Sequence, residues 1–492
     1  MESRQRPAKD TRQPSRRARS KTHNASPKRS FIPVDPGFSF QTHRALIGLA
    51  LLTLLLNSLI FAPISWWPLA FICLVPWLLF VGAADRAPRV YLYSYLFGLA
   101  FFLINMHWLY VSTGPGYVVL SIYLAAYFPL MACPVRHVVR RRRWPLALVF
   151  PFVWTGSELL RAVVISGFPW FFLSHSLHGV LSLIQISDLI GAYGVSFVVA
   201  AVNGAIADWI IAWAGFRRSD KDDLCPTHRA SVWRPLVRVR VSLVFAGSVV
   251  LAALIYGQVQ LRRDTITQGP KIAILQGDFV SRVQGDSVNS SSKRRIYHSM
   301  LRAAAKDKPD LYLLPETPWI MYLNPEARDF HSFWRKSFAA LQKHATRNNA
   351  YLVTGSASLV ETPHDLMARE RRYNSATVFR PDGSEPGRYD KVHLVYFGEV
   401  VPFRFGRLRF LYLWLNRMMP FSGSDGTQEY SLFPGDGFHR FTMESASQQG
   451  RTFRFGIPIC YEDVMPYVSR RFVSGGAATK QVDLLLNISN DG

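Results

Sequence analysis

The sequence has little acidic charge, few cysteines and no nucleic-acid reading motif. Its 492 residues include 33 Asp and Glu against 57 Lys and Arg, which gives a formal net charge of +24. The four cysteines, Cys73, Cys133, Cys225 and Cys460, are too few and too scattered for a disulfide framework or a metal site. Because no aromatic-studded basic groove accompanies the positive charge, we expect no nucleic-acid partner.

Residues 1–44 lack the apolar content of a folded segment. Eleven Lys or Arg and three acidic residues alternate there with Ser, Pro and Gln. Such a segment buries too little apolar surface to fold alone, which predicts a basic, disordered cytoplasmic tail. It also lacks the short apolar core, followed directly by a small-residue cleavage site, that a signal peptide needs.

Long apolar runs dominate residues 45–261. Each run is close to the roughly 20 residues that cross a hydrocarbon core, and most contain no charged residue. They predict a membrane domain with about seven transmembrane helices, at 45–62, 67–83, 90–112, 117–135, 145–165, 190–213 and 241–257.

The loops between these runs predict the orientation. Lys and Arg follow the second, fourth and sixth runs, whereas the loops after the first, third and fifth contain none. Basic loops stay in the cytoplasm, so the N-terminus is expected inside and the chain from about residue 262 outside. Within the fifth run, Glu158 and Arg161 are spaced to form an ion pair on one helix face.

Residues 262–492 alternate short strands and helices, as a layered α/β domain does. Strands are predicted at 271–276, 311–314, 351–355, 375–379, 453–459 and 482–487, and a helix at 292–306.

Three side chains near the ends of these strands could together catalyse acyl transfer. The Glu316 carboxylate can take the proton of the Cys460 thiol, the thiolate can attack a carbonyl, and the Lys391 ammonium can stabilise the resulting oxyanion, with the Tyr461 N–H as a second donor. Each residue also has an ordinary role: Glu316 as a helix cap, Lys391 as a solvated loop residue, Cys460 as a small core residue. The residue types alone leave both interpretations open.

Three motifs occur in a characteristic order: Leu-Leu-Pro-Glu-Thr at 313–317, a Tyr-Asp-Lys-Val-His-Leu segment within 389–402, and Ile-Cys-Tyr-Glu-Asp at 459–463. They resemble the nitrilase (carbon-nitrogen hydrolase) superfamily and, more narrowly, the apolipoprotein N-acyltransferase family. The resemblance extends to motifs elsewhere, at 97–99, 108–112, 167–170, 191–196, 276–277, 373–375 and 486–491.

The resemblance implies a multi-span α-helical membrane domain plus an α/β nitrilase-like αββα sandwich domain. The expected boundaries are 1–44 for the tail, 45–261 for the membrane domain and 262–492 for the catalytic domain. By the same resemblance the site residues are Glu316 as general base, Lys391 as oxyanion stabiliser, Cys460 as nucleophile, Glu399 as a supporting catalytic glutamate, and Tyr461 and Glu462 as oxyanion or pocket residues.

The implied reaction transfers an acyl chain from a phospholipid, through a thioester on Cys460, to the α-amino group of the N-terminal diacylglyceryl cysteine of apolipoproteins. It requires no metal or nucleotide cofactor. The implied partners are the phospholipid donor, the diacylated apolipoprotein acceptor and membrane lipid, in a bacterial inner membrane with the catalytic domain on the periplasmic side. Apolar residues at 396–397 and 403–412 are expected to form a lid, with Arg404, Arg407 and Arg409 near lipid headgroups.

Two other hypotheses use the same residues: a membrane-tethered amidase that hydrolyses a C–N bond, and an inactive, truncated scaffold. The Lys-Trp pair that the family places after Gln276 is absent, which puts donor recognition in question. The family also continues beyond the position of Gly492 with further strands and an eighth span. We therefore expect a C-terminally truncated chain with an exposed sheet edge and reduced stability.

Overall fold

The computed structural model describes residues 43–84, 86–110, 116–142, 144–222, 229–279, 289–362, 370–396, 398–404, 406–417, 431–476 and 479–490. These residues belong to one packed unit, Pro36–Gly492. The tail predicted at 1–44 lies outside the described residues, apart from its last two.

The first part of the described chain is helical. Its α-helices are α1 (His43–Leu59), α2 (Val75–Ala83), α3 (Ala87–Asn105), α4 (Gly116–Ala125), α5 (Tyr127–His137), α6 (Leu146–Val163), α7 (Leu181–Ile184), α8 (Ser187–Asp222) and α9 (Arg229–Leu261). Short 3₁₀ turns at Trp67–Phe71, His107–Leu109, Val164–Ser166 and Leu173–Leu177 lie between them.

Five helical stretches are long and apolar enough to cross a membrane: Ala87–Asn105, Gly116–Arg142, Leu146–Val163, Ser187–Ala214 and Leu236–Leu261. They correspond to the third to seventh predicted spans. The first two predicted spans appear as shorter apolar helices, Arg44–Leu59 and Trp67–Ala83. A multi-span helical region is therefore confirmed, while the number seven and the domain boundaries stay predictions.

The apolar helices differ in the fraction of their residues that is buried inside the protein. In the apolar window of Ser187–Ala214, 61% of residues are buried inside the protein, against 17% for Leu236–Leu261. An apolar helix that buries little against protein must present its side chains to another apolar medium. The chain is thus a membrane protein whose helix Leu236–Leu261 lies at the lipid-facing periphery.

A buried carboxylate joins three of these helices at one end. Asp208 of α8 accepts hydrogen bonds from the N–H of Leu146 at 2.7 Å and the hydroxyl of Ser242 at 2.6 Å. Arg238 of α9 donates its Nε to the same carboxylate at 2.9 Å. Because the charge is paired and hydrogen-bonded, it holds α6, α8 and α9 together.

In the second part of the chain, the described residues form two sheets and four α-helices. The strands are β1 (Ile272–Ile274), β2 (Leu311–Leu313), β3 (Tyr351–Glu361), β4 (Glu370–Phe379), β5 (Gly387–Asp390), β6 (Arg440–Ser445), β7 (Arg451–Gly456) and β8 (Leu484–Leu485). The helices are α10 (Ser290–Ala304), α11 (Ser332–Arg347), α12 (Arg409–Arg417) and α13 (Pro466–Ser474). One sheet has the order β1-β2-β3-β4-β5 and the other β6-β7-β8.

Strand β2 shows how the layers pack. Leu311 and Leu313 face a core shared with Phe453 and Phe455 of the second sheet, whereas Tyr312 faces a separate core beneath α10 and α11. Alternate residues of a strand point to opposite faces, and both faces of β2 are covered. This double burial explains why the strand reads as a continuous apolar run, and it produces the predicted layered α/β domain.

The topology gathers several chain segments at one edge of the first sheet. Strands β1, β2 and β3 are parallel, β4 runs antiparallel to β3, and β5 antiparallel to β4. The carboxyl ends of β2 and β5 and the first half of β4 therefore share an edge. Side chains that follow β2 and β5 meet there with side chains from β4.

Candidate active site

Glu316 follows β2 at this edge, where the backbone passes close to β3. A Cβ on Gly355 would lie 2.6 Å from the Glu316 Cα and 2.4 Å from the backbone nitrogen of Thr317. Only glycine permits this approach without displacing the backbone. Burial raises the pKa of the Glu316 carboxyl, while Lys391 and a hydrogen bond from Asn374 act in the opposite direction. A carboxylate with a raised pKa is a better proton acceptor for a thiol.

Lys391 follows β5 and is only 1% exposed. Its Nζ lies 2.9 Å from Oε1 of Glu399 and 4.0 Å from Oε1 of Glu316. Burial lowers the pKa of Lys391, but the charges of Glu399 and Glu316 outweigh it, so the pKa is raised overall. The buried amine therefore remains an ammonium, as oxyanion stabilisation requires.

Asn374 of β4 joins the two carboxylates. Its Nδ2 donates to Oε1 of Glu316 at 2.6 Å and to Oε1 of Glu399 at 2.8 Å, and its backbone carbonyl accepts from the N–H of Lys391 at 2.8 Å. Sequence reasoning gave Asn374 no role. The one available signal was its place in the family-like motif at 373–375.

Glu399 turns back toward Lys391 through its own loop. Its Oε2 accepts from the N–H of Val395 at 3.0 Å, which leaves Oε1 for Lys391 and Asn374. The carboxylate binds the ammonium directly, while Glu316 lies 4.0 Å from the same nitrogen. This arrangement suits the supporting role predicted for Glu399.

Cys460 follows β7 on the second sheet. Its backbone N–H donates to the carbonyl of Ile488 at 2.7 Å, and its φ of +51° is rare for a residue with a side chain. A turn of 3₁₀-helix, Cys460–Val464, begins at this residue. The thiol is close enough to Glu316 to lower the pKa of that carboxyl. The two sheets thus bring Cys460, Glu316 and Lys391 together, and their catalytic roles stay a prediction.

Glu462 is fully buried, and its carboxylate binds both sides of the site. It accepts from the N–H groups of Val392 and His393, next to Lys391, at 2.8 and 2.9 Å, and from the N–H of Ile459, next to Cys460, at 2.9 Å. The Tyr389 hydroxyl donates to it at 2.9 Å. The carboxylate therefore fixes the backbone around the site rather than lining an open pocket.

Tyr461 points toward the helical part of the chain. Its hydroxyl donates to the carbonyl of Gly167 at 3.0 Å, and its ring meets that of Trp170 edge-on, with 5.3 Å between centroids. Burial raises the pKa of Tyr461, so the hydroxyl stays protonated as a donor. The residue after Cys460 is thus a direct contact with the membrane domain.

The predicted lid region contains an amphipathic helix. In α12, Tyr412 and Asn416 are buried, while Phe410, Leu413 and Trp414 are about half exposed or more. The guanidinium of Arg404 lies over the Phe433 ring at 3.9 Å. Residues 397 and 405 of the predicted lid lie outside the described residues, and the headgroup role of the arginines stays a prediction.

Across the ranges that the structure describes, no group of three or more His, Cys, Asp or Glu side chains is arranged to hold a metal ion. The site instead contains a thiol, an ammonium and two carboxylates, which suffice for proton transfer and acyl transfer.

The chain matches known proteins in both of its parts. Residues 54–205 match the apolipoprotein N-acyltransferase N-terminal domain, and residues 279–490 match the carbon-nitrogen hydrolase family. The second match confirms the predicted nitrilase-like fold class. Among solved structures, a CN-hydrolase superfamily protein of Xanthomonas campestris is similar at 20% identity and a TM-score of 0.28, covering 46% of this chain and 66% of that one.

Curated relatives match along most of the chain. An apolipoprotein N-acyltransferase of Geobacter metallireducens is 30% identical over 442 residues, which cover 86% of this chain and 73% of the relative. One of Pseudomonas putida is 27% identical over 87% of this chain and 75% of the relative. One of Rhodopirellula baltica is 28% identical over 69% and 65%. With both domains matched in order, the chain belongs to the apolipoprotein N-acyltransferase family, a family of membrane-bound acyltransferases of lipoprotein biosynthesis.

Proposed function

We propose that the chain transfers an acyl chain from a phospholipid, through a thioester on Cys460, to the α-amino group of the N-terminal diacylglyceryl cysteine of an apolipoprotein. The observation that carries this proposal is the cluster in which Lys391 lies 4.0 Å from Glu316 and 2.9 Å from Glu399, with the Cys460 thiol close enough to Glu316 to lower the pKa of its carboxyl. Tyr461, the next residue, contacts the membrane domain through Gly167. The nucleophile is thus close to where lipid substrates enter.

The first half-reaction forms the thioester. Glu316 accepts the proton of the Cys460 thiol as the sulfur attacks the ester carbonyl of the phospholipid, and Lys391 stabilises the oxyanion. When the carbon–oxygen bond breaks, the glycerol oxygen takes the proton from Glu316 and leaves as a lysophospholipid. The proton moves within the cluster, so the net charge of the site stays constant.

The second half-reaction uses the same groups in reverse. Glu316 takes a proton from the α-amino group as its nitrogen attacks the thioester carbonyl, and Lys391 with the Tyr461 N–H stabilises the second oxyanion. Collapse breaks the carbon–sulfur bond, forms the amide and returns a proton to Cys460. Glu399 and Asn374 hold Lys391 and Glu316 throughout, since neither carboxylate can turn away without losing a hydrogen bond.

The proposal includes a cellular location and an orientation in the membrane. The basic loops after alternate spans support a cytoplasmic N-terminus and a catalytic domain on the periplasmic side of a bacterial inner membrane. The proposed boundaries remain a tail at 1–44, a membrane domain at 45–261 and a catalytic domain at 262–492. The exposed apolar residues of α12, Phe410, Leu413 and Trp414, suit a contact with the membrane surface near the site.

The test uses the full chain in phospholipid nanodiscs with a synthetic diacylglyceryl-cysteine peptide. Mass spectrometry is expected to find one added acyl chain on the peptide, and none on the same peptide with an acetylated α-amino group. Cys460→Ser is expected to abolish the product. Cys133→Ser, which changes an exposed cysteine of α5, serves as the matched control and is expected to retain activity.

The alternative hypotheses give different outcomes. Release of free fatty acid without acylated peptide would mean that water, rather than the peptide amine, is the acceptor, as in a hydrolase of the amidase type. Neither product, from a chain that melts cooperatively, would indicate the inactive scaffold. Either result would contradict the proposed function.

A further inference from the structure

Two charged side chains lie buried in the last two turns of the membrane-spanning helix α6. Glu158 is 3% exposed and Arg161 is 7% exposed. Their spacing predicts an ion pair, but no direct contact between the two charged groups is found among the described residues. Charged groups inside a membrane are costly, and they are retained where they have a specific partner or role.

Both side chains bind the backbone of one segment, residues 167–173. Arg161 donates to the carbonyls of Trp170 and Phe171 at 3.0 and 3.1 Å. The Glu158 carboxylate accepts from the N–H of Leu173 at 2.9 Å, and from the indole of Trp154 at 2.8 Å. Arg161 therefore holds the segment through two backbone carbonyls, and Glu158 holds it through a backbone N–H.

The segment needs such support because its backbone is strained. Gly167 has a φ of +85°, and a Cβ there would lie 2.1 Å from the carbonyl oxygen of Ala162. Phe171 has a φ of +57° despite its aromatic side chain. Sparsely populated backbone conformations of this kind persist only where surrounding contacts enforce them.

The same segment contacts the catalytic domain next to the nucleophile. The carbonyl of Gly167 accepts from the Tyr461 hydroxyl at 3.0 Å, and the Trp170 ring packs on the Tyr461 ring at 5.3 Å. Gly167 and Trp170 thus contact the residue that follows Cys460, and Trp170 is also one of the two residues whose carbonyls Arg161 binds.

We propose that Glu158 and Arg161 are positioning residues for the chemical step. By fixing the backbone of residues 167–173, they hold Gly167 and Trp170 against Tyr461, and this contact sets the position of the Cys460 thiol relative to Glu316. The membrane domain therefore contributes to the geometry of the nucleophile, in addition to recruiting substrate. This inference rests on the proposed acyl transfer for its kinetic readout only.

This arrangement has an energetic cost, because some buried polar atoms of the two side chains make no hydrogen bond within the described part of the chain. Oε2 of Glu158 and Nε of Arg161 are buried without a hydrogen-bond partner among the described residues. Apolar side chains of similar size would avoid this penalty if the helix needed only to pack. The two charges are explained by the backbone groups that they bind.

The experiment compares Arg161→Gln with Arg238→Gln, which removes another membrane-domain arginine that binds Asp208 and does not contact residues 167–173. Three quantities are measured in nanodiscs: the melting temperature, kcat and KM for the lipopeptide, and the rate at which iodoacetamide alkylates Cys460, read by mass spectrometry of its peptide. The alkylation rate does not depend on the proposed reaction, so it separates failure of this inference from failure of the proposed function.

Arg161→Gln is expected to lower kcat per folded molecule about tenfold or more, to leave KM within about twofold, and to change the Cys460 alkylation rate at least about threefold. Arg238→Gln is expected to lower the melting temperature while leaving kcat and alkylation within about twofold. If Arg161→Gln also loses only melting temperature, its role is structural and the inference is wrong.

Two milder variants test the same connection if Arg161→Gln does not fold. Arg161→Lys keeps the charge but lacks the planar group that reaches both carbonyls, so an intermediate kcat is expected. Tyr461→Phe removes the hydrogen bond to Gly167 and keeps the ring contact with Trp170. In the double variant Arg161→Lys/Tyr461→Phe, a loss in log kcat smaller than the sum of the two single losses supports the inference. A loss equal to that sum overturns it.

Discussion

The two sheets hold their parts of the candidate site by different means. On the first sheet, Glu316 and Lys391 are fixed by side chains from the same sheet and its loops, chiefly Asn374 and Glu399. On the second sheet, Cys460 is fixed through its backbone and its neighbours. The proposed acid–base groups are therefore preorganised locally, whereas the proposed nucleophile depends on contacts from other parts of the molecule.

Two neighbours of Cys460 provide these distant contacts. Glu462 binds backbone N–H groups beside Lys391, and Tyr461 binds Gly167 of the membrane domain. A site divided in this way can keep its charges in place while the thiol responds to the membrane part. We expect substitutions on the first sheet to change the charge balance and pH dependence, and substitutions around Cys460 to change the placement of the thiol.

The largest effect is expected from Lys391→Met. It removes the ammonium that lies next to Glu316 and Glu399, so a developing oxyanion loses its charged donor. The rate of thioester formation in a single turnover is expected to fall about 10²–10³-fold. Lys343→Met, at an exposed position of α11, is the control, and an equal loss in both variants would contradict the assignment.

Glu462→Gln is expected to affect both stability and the nucleophile. The amide replaces one of two oxygens that accept from buried donors, including the N–H groups of Val392 and Ile459. The free energy of unfolding is expected to fall by about 2–4 kcal/mol, measured by chemical denaturation. Cys460 alkylation in the folded variant is expected to change as well. Glu444→Gln, exposed on β6, is expected to do neither.

Asn374→Ala tests how the first sheet sets the pKa of Glu316, through the pH dependence of the reaction. Burial raises the pKa of Glu316, and the hydrogen bond from Asn374 lowers it, so removing the amide raises the pKa further. Because Glu316 must be ionised to accept the thiol proton, the acid limb of the rate of thioester formation is expected to move to higher pH. The rate at neutral pH is expected to fall about tenfold.

An unchanged acid limb in Asn374→Ala would mean that Glu316 is not the base. Asn348→Ala, at the end of α11, removes an amide that hydrogen-bonds only its own helix region. Its pH profile is expected to match that of the unmodified chain.

The smallest effect is expected from Tyr389→Phe. It removes one hydrogen bond to the buried Glu462 carboxylate and leaves the other donors in place. The free energy of unfolding is expected to fall by about 1–2 kcal/mol, with activity within about twofold. Tyr351→Phe is expected to cost less than Tyr389→Phe, because the Tyr351 hydroxyl accepts only a long contact of 3.4 Å from the backbone N–H of Glu444.

The strands that carry continuous apolar runs were predictable from the sequence. Strand β2 is buried on both faces and is found where the run at 311–314 predicts it. Strands β5 and β6 were not predicted, since Gly387–Asp390 and Arg440–Ser445 contain charged residues and few apolar ones. Their pairing depends on neighbouring strands rather than on a local pattern.

The sequence names the residues of the candidate site but not the contacts between them. Motif order identified Glu316, Lys391 and Cys460, but the bridge from Asn374 joins residues 58 and 25 positions away, which no local pattern reveals. Helical spacing predicted a pair between Glu158 and Arg161. The structure uses both for a segment that folds back on the helix, a tertiary contact that the helical period does not encode.

The most direct test of the proposed mechanism is to look for the thioester itself. The chain is incubated with a phospholipid of one defined acyl chain and no acceptor peptide, then digested and analysed by mass spectrometry. The acyl mass is expected on the Cys460 peptide, removable by hydroxylamine and absent in Cys460→Ser. Acyl transfer to lipopeptide that persists in Cys460→Ser, or an acyl group on another residue, would contradict the assignment of Cys460 as nucleophile.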